Sequence, residues 1–288
     1  MQCAAEVIPG ESNPVRSSRS PGGVAFNIAR ALSALDCIVG LASRVGSDPD
    51  GRALVEYLAT SRIKAVDITE ETTRHTAAYT AVVDPQGELV VGLANMEIYD
   101  RLDRRYWSSR VDKLAGWDAW CLDTNAPEPG LQYLSTLTNR PHLYVVVSSP
   151  SKGLRLKSFL RHINTLILNV AEASVLTGQS HRGIGGAEKA AQLLYAAGVD
   201  RTLVTQGASG GAWADATGSG TIAALPQPHQ LIRVSGAGDS LAAAVIAALE
   251  KCDSTAKALE LGIHASHLFI QSSDPKTPIS AQSDINHG

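Results

Sequence analysis

A chain of 288 residues, 44% hydrophobic and 18% charged, can build one large core or two ordinary ones, and this usage excludes a disordered, collagenous or coiled-coil polypeptide. Its 25 Lys+Arg stand against 28 Asp+Glu, a net charge of -3 without a long run of one sign, so neither nucleic acid nor an anionic membrane is indicated as a partner. The longest apolar run, Leu241 to Leu249, falls far short of the ~20 residues a membrane-spanning helix needs.

The N-terminus carries Glu6 and no basic stretch ahead of an apolar one, so no secretory signal is read there. Cys3, Cys37, Cys121 and Cys252 are scattered without a CxxC pair, which suits free thiols in a cytoplasmic protein. Behind Gly22 and Gly23, the spacing of Val24, Ile28, Leu32 and Leu35 predicts a helix, and Ile38 to Ala42 a buried strand. Asp48 as cap and Pro49 as first helical residue start a second helix with Leu54, Val55 and Leu58. Ala77 to Val83 and Glu88 to Leu93, joined by Asp84-Pro85-Gln86-Gly87, predict a hairpin.

Further strands are expected at Ala119 to Leu122, Leu143 to Val147, Leu166 to Leu168 and Arg201 to Thr205, with helical stretches such as Ala187 to Ala197 between them. Strands separated by helices imply right-handed crossovers and a mainly parallel sheet covered on both faces. A strand-rich stretch from Gly211 to Leu225 precedes two helices, about Ala237 to Lys251 and Ser254 to Gln271, and a polar tail with Pro275 and Pro278. No linker divides the chain, so residues 1–288 read as one α/β domain with a small β lid from about 2–20 and 77–93.

Val234-Ser235-Gly236-Ala237-Gly238-Asp239-Ser240 leads straight into the alanine-rich helix. The N–H groups of Gly236, Ala237 and Gly238 at a helix start form an anion hole, and Asp239 beside them could take a proton from a hydroxyl attacking phosphorus. A Gly-rich turn with Asp as a plain cap accounts equally for the spacing. Asn169 and Glu172, just after a strand, suit Mg²⁺ held through water, or an N-cap with its capping-box partner. Thr205, Gly207 and Gly210 lie in a turn after another strand, and Asn27 stands one turn into the first helix, able to meet sugar hydroxyls. His264 and His267 lack a Cys or acidic partner, and neither a Ser/His/Asp motif nor a GxxxxGK[ST] loop is present.

These segments, together with Val45-Gly46-Ser47-Asp48 and Gly51, occur in the order found in the ribokinase-like (PfkB) family of carbohydrate and nucleoside kinases, which the chain resembles from about residue 12 to 280. Ser12-Asn13-Pro14, Pro21-Gly22-Gly23-Val24, Thr76 to Thr80, Gly87-Glu88-Leu89 and Asn95-Met96-Glu97-Ile98 are most similar to its pseudouridine-phosphorylating members. The resemblance implies a three-layer Rossmann-like ribokinase fold and ATP-dependent phosphorylation of a nucleoside 5′-hydroxyl. It assigns Asp239 as catalytic base with Gly236, Ala237 and Gly238 as anion hole. Asn169 and Glu172 would serve Mg²⁺, and Asn169, Thr205, Gly207 and Gly210 ATP. Asn13, Gly22, Gly23 and Asn27 would meet the nucleoside. A monovalent cation such as K⁺ is a further expectation of the family, and an exposed lid face would favour a homodimer in which two lids cover each other. Its members begin with a strand and a sugar-gripping Asp ahead of the Ser-Asn-Pro segment; none is read before Ser12 here, so that strand is expected to be missing. The alternatives are another ribokinase-like sugar or nucleoside kinase, acting on adenosine or ribose, or a shortened relative that binds ligand without turnover.

Overall fold

The computed structural model describes residues 1–8, 10–86, 89–226 and 235–272. Two short strands, β1 (Gln2–Cys3) and β2 (Val15–Arg16), precede helix α1 (Val24–Ala34), which buries Phe26, Ile28 and Ala29. Strand β3 (Gly40–Gly46) begins later than the apolar run at 38 to 42 suggests, because Ile38 is 77% exposed while Val39, Leu41 and Val45 are buried. Helix α2 (Pro49–Thr60) starts where the sequence predicts, with the Asp48 carboxylate accepting the Gly51 N–H at 2.8 Å. Strand β4 (Lys64–Glu71) pairs parallel with β3 in a two-stranded sheet of its own.

Strands β5 (Ala78–Val83) and β6 (Leu89–Asn95) form the antiparallel hairpin, with Gly87 and Glu88 of its turn outside the described residues. Strand β1 lies parallel to β5 and antiparallel to β2, giving a four-stranded sheet in the order β2-β1-β5-β6. Tyr79, Val90, Val91 and Leu93 on this sheet are exposed.

After the short helix α3 (Arg104–Ser108), the chain builds a six-stranded sheet. Its strands are β7 (Ala119–Asp123), β8 (His142–Val146), β9 (Thr165–Asn169), β10 (Arg201–Thr205), β11 (Gly211–Asp215) and β12 (Gly218–Ile222), side by side in that order. The first four are parallel and the last two antiparallel. Helices α4 (Glu128–Thr136), α5 (Pro150–Gly153), α6 (Val170–Thr177) and α7 (Gly186–Ala196) follow the parallel strands, and α8 (Ala237–Glu250) and α9 (Thr255–Gln271) close the described chain. Val234 and the tail from residue 273 lie outside the described residues.

Alternation of side chains along each strand sorts the core into two layers. Leu143, Val145, Leu166 and Leu168 pack with Leu131, Phe159, Ala190 and Leu194, while Tyr144, Val146, Ile167 and Leu203 pack with Ile28 and the faces of α8 and α9. Burial on both faces is why β8 and β9 read as unbroken apolar runs. From Ser240 to Leu249 every residue of α8 is buried, and from Leu241 the run is apolar all round because helices and sheet enclose it. A Cβ at Gly262 would lie 2.8 Å from Val245 Cγ2, and its absence lets α9 seat closely on α8. Among the described residues no helix is long and apolar enough to cross a membrane.

Candidate active site

Parallel strands deliver their carboxyl ends to one edge, and the register aligns them there: Asn169 of β9 lies opposite Thr205 of β10, and Asp123 of β7 opposite Val146 of β8. The starts of α1 and α8 reach the same edge. Asn27 Nδ2 donates to Asp239 Oδ2 at 2.8 Å, and the Ala25 N–H donates to Asp123 Oδ2 at 3.0 Å.

Helix α8 begins on Gly236 at φ 98°, a conformation that strains any residue with a Cβ, and a Cβ there would also stand 2.9 Å from Phe269 Cζ. The first hydrogen bond inside the helix is that of the Ser240 N–H to the Gly236 carbonyl at 3.0 Å. N–H groups ahead of it have no acceptor within the helix and point out of its positive end. Asp239 sits in that first turn, and burial, with a further push from the charge of Asp123, raises its pKa to about 6 against the opposing bond from Asn27. The carboxyl therefore titrates near neutrality, where a general base is most useful.

Asn169 and Glu172 form a complete capping box: Asn169 Oδ1 accepts the Ala171 and Glu172 N–H groups at 2.9 and 3.0 Å, and Glu172 Oε2 accepts the Asn169 N–H at 2.8 Å. Burial and the nearby Asp239 raise the Glu172 pKa to about 7. Such a carboxyl, short of compensating positive charge, is suited to a hard divalent cation. Among the described residues there is no group of three or more His, Cys, Asp or Glu that could hold a metal ion.

Thr205 ends β10 beside Asn169, and the turn after it is closed by Gly210 donating its N–H to Gly207 O and accepting from Gln206 N at 2.8 Å. Gln206 Nε2 also donates to Gly183 O at 2.9 Å, tying this turn to the loop ahead of α7. Gly22 and Gly23 precede α1, whose start meets this edge, with Gly23 at φ 110°. Asn13 is not brought into this cluster: its Oδ1 accepts the Ile8 N–H at 2.8 Å, and its Nδ2 donates to the Ile8 and Glu11 carbonyls, so the amide braces its own loop.

Two residues at this edge escape the sequence reading. Asp123 Oδ1 accepts the Asn125 N–H at 2.7 Å while its other oxygen caps α1. Lys152 Nζ donates to Asn125 Oδ1 at 2.5 Å. An Asp closing a strand at the carboxyl edge of a parallel sheet is the signal that could have found the first. Tyr99 stands nearby, its pKa raised to about 12 by burial and by the charge of Asp123, against a hydrogen bond with Ser43 of β3.

Fold and edge together define a class, an α/β protein with open N–H groups at a helix start and a buried carboxyl beside them, an arrangement suited to phosphoryl transfer. The chain belongs to the pfkB family of carbohydrate kinases, whose pattern it matches over residues 6–282. It is 28% identical over 233 residues to pseudouridine kinase of Escherichia coli strain K12, covering 81% of this chain and 74% of that protein. Its backbone superposes on a carbohydrate kinase from Agrobacterium tumefaciens with a TM-score of 0.80 at 30% identity, covering 94% of this chain and 87% of that one. An Escherichia coli structure assigned to ribokinase II, solved with ATP and Mg²⁺, superposes with a TM-score of 0.78 at 16% identity over 96% of this chain and 90% of that one. The fold is thus ribokinase-like, and the family is one of ATP-dependent phosphotransferases acting on alcohol groups.

Proposed function

We propose that this protein transfers the γ-phosphoryl group of ATP to the 5′-hydroxyl of a nucleoside, with pseudouridine as the first candidate. The observation that carries the chemistry is Asp239, raised to a pKa of about 6 in the first turn of α8 and held by Asn27. The choice of nucleoside rests on the 28% identity to a pseudouridine kinase.

In this reading the acceptor oxygen bonds to the γ-phosphorus as the bond from phosphorus to the β,γ-bridging oxygen breaks, and ADP leaves with that electron pair. The Asp239 carboxylate takes the hydroxyl proton late in the transfer. N–H groups at the start of α8, including those of Gly236, Ala237 and Gly238, meet the charge that develops on the phosphoryl oxygens. Asn27 fixes the rotamer of the base through its amide N–H, leaving its carbonyl oxygen toward the acceptor. Asn169 and Glu172 would hold Mg²⁺ through water, and this ion would neutralise phosphate charge. Thr205, Gly207 and Gly210 would face the nucleotide, and Gly22 and Gly23 the sugar. The exposed Val91 and Leu93, which share one face of the lid, are the surface on which a second copy would pair.

A coupled assay of ADP release with pseudouridine, uridine, adenosine and ribose, with Mg²⁺ and with or without K⁺, tests the proposal. Turnover fastest on pseudouridine supports it. Turnover confined to ribose moves the acceptor to a free sugar, and nucleoside binding without ADP release overturns the catalytic reading.

A further inference from the structure

We propose that Lys152 is a further catalytic residue of this site, the cation that contacts the phosphoryl group in transit; this rests on the kinase reading above. Lys152 lies in α5, directly beyond the carboxyl end of β8, and is half-buried. Its ammonium donates to the neutral amide of Asn125, and among the described residues it forms no ion pair. A half-buried cation without a contacting counter-ion is costly unless an anion joins it.

Its position narrows the anion to one arriving at the reacting edge. Asn125 stands two residues beyond Asp123, whose charge acts on Asp239 on one side and on Lys152 on the other. Gly153, next in the chain, packs on α6: a Cβ there would lie 4.0 Å from the Glu172 carbonyl oxygen. Lys152 is therefore placed between the Asp123–Asn125 turn and the Asn169–Glu172 turn, on the edge that also holds the base. Burial and the neighbouring Arg155 lower its pKa, against the opposing pull of Asp123.

A purely structural role is already filled. Arg155 Nη1 donates to the carbonyls of Thr124, Asn125 and Ala126 at 2.9, 2.9 and 3.0 Å, so the turn is pinned without Lys152. Arg155 spends its donors on that turn, whereas Lys152 gives its described bond to a single amide. Three carboxyls, Asp123, Glu172 and Asp239, gather here, and ATP adds further negative charge. In the transfer the phosphoryl group moves from the departing ADP oxygen to the acceptor oxygen with its charge spread over three equatorial oxygens, and a point cation beside them stabilises that state over the bound substrate.

The test uses Lys152→Met and Lys152→Arg in the full chain, with binding of the non-hydrolysable ATP analogue AMP-PNP and of ADP measured by calorimetry in Mg²⁺. Lys152→Met should weaken AMP-PNP by about tenfold, as loss of a charge-assisted bond to the terminal phosphate requires, and leave ADP nearly unchanged. Its kcat on the nucleoside should fall by roughly 10²- to 10³-fold with the nucleoside KM little altered, and Lys152→Arg should restore part of both. Equal weakening of both nucleotides, or a kcat within about threefold of wild type, overturns the proposal. A residue that merely braced the turn would lower Tm and raise the nucleoside KM without changing the ratio of the two nucleotide affinities. If the wild-type chain phosphorylates no nucleoside or sugar, the acceptor reading fails by itself, and the nucleotide ratio still decides on Lys152.

Discussion

Replacing Asp239 by Asn keeps the size of the side chain and its ability to accept the Asn27 N–H, but removes the ionisable group. The fold raises this carboxyl from 3.8 to about 6, first through burial and then through the charge of Asp123. Between those values the folded chain retains a proton that the unfolded chain has released. Stability from this group is therefore full below 3.8, declines as pH rises through the window, and is gone above about 6. The full displacement corresponds to about 3 kcal/mol, an upper bound because the residue keeps some contact with solvent. Asp239→Asn removes that cost. At pH 8 the variant should be more stable by roughly 2 to 3 kcal/mol, a Tm higher by about 4–8 °C for a chain of this size. At pH 4 the two proteins should melt together. Calorimetric melts of both between pH 4 and 8 measure this, since carboxylates common to the pair cancel in the difference. The same variant should lose ~10²- to 10⁴-fold in kcat while ATP and nucleoside still bind. A variant less stable than wild type at pH 8, a Tm difference that does not change with pH, or more than about a tenth of the wild-type kcat would refute the reasoning.

Asp123→Asn removes the charge that helps raise Asp239, so the acid limb of the kcat/KM profile, expected near pH 6 in the wild type, should move to lower pH; an unmoved limb counts against the coupling. Asn169→Ala should raise the Mg²⁺ concentration for half-maximal rate and leave nucleoside affinity nearly alone, at a stability loss of about 1 kcal/mol from the broken cap. Asp48 caps α2 and also holds Thr76 at the foot of the hairpin, through the Thr76 N–H at 2.8 Å and hydroxyl at 2.6 Å. These bonds outweigh its desolvation and lower its pKa to about 2, so its contribution is present above 3.8 and lost as pH falls through about 2. Urea melts of Asp48→Ala should show a loss of roughly 1 to 2 kcal/mol at pH 7 that shrinks toward pH 2.

Strands β8 and β9, the hairpin, the start of α2 at Asp48 and Pro49, and the run into α8 are legible from the chain itself because each rests on neighbours in sequence. An unbroken apolar run, a Pro in a first turn, or glycines ahead of an alanine-rich helix bears its physical reason within a few residues. The open N–H groups at the start of α8 belong to this group, since they need no distant partner to be left without an acceptor in the helix.

Strand β4 hides from such a reading because Asp67, in its middle, is buried and becomes tolerable through Lys113 at 2.6 Å, Arg110 at 3.0 Å and the Tyr106 hydroxyl donating at 2.7 Å, all from a later segment. Whether Asn169 and Glu172 cap a helix is answered by their reciprocal bonds, while their approach to Asp239 depends on β9 and α8 meeting. The amide of Asn13, grouped with the substrate residues by its motif, closes its own loop through bonds to Ile8 and Glu11 that the motif does not announce. The setting of Asp239 is a tertiary product. Asp239 owes its orientation to Asn27, 212 residues away, and its raised pKa to burial beside Asp123, which also caps α1 across 98 residues. Sequence spacing placed a carboxyl at a helix start, but desolvation and charge coupling are sums over neighbours in space, and only the packed sheet edge assembles those neighbours.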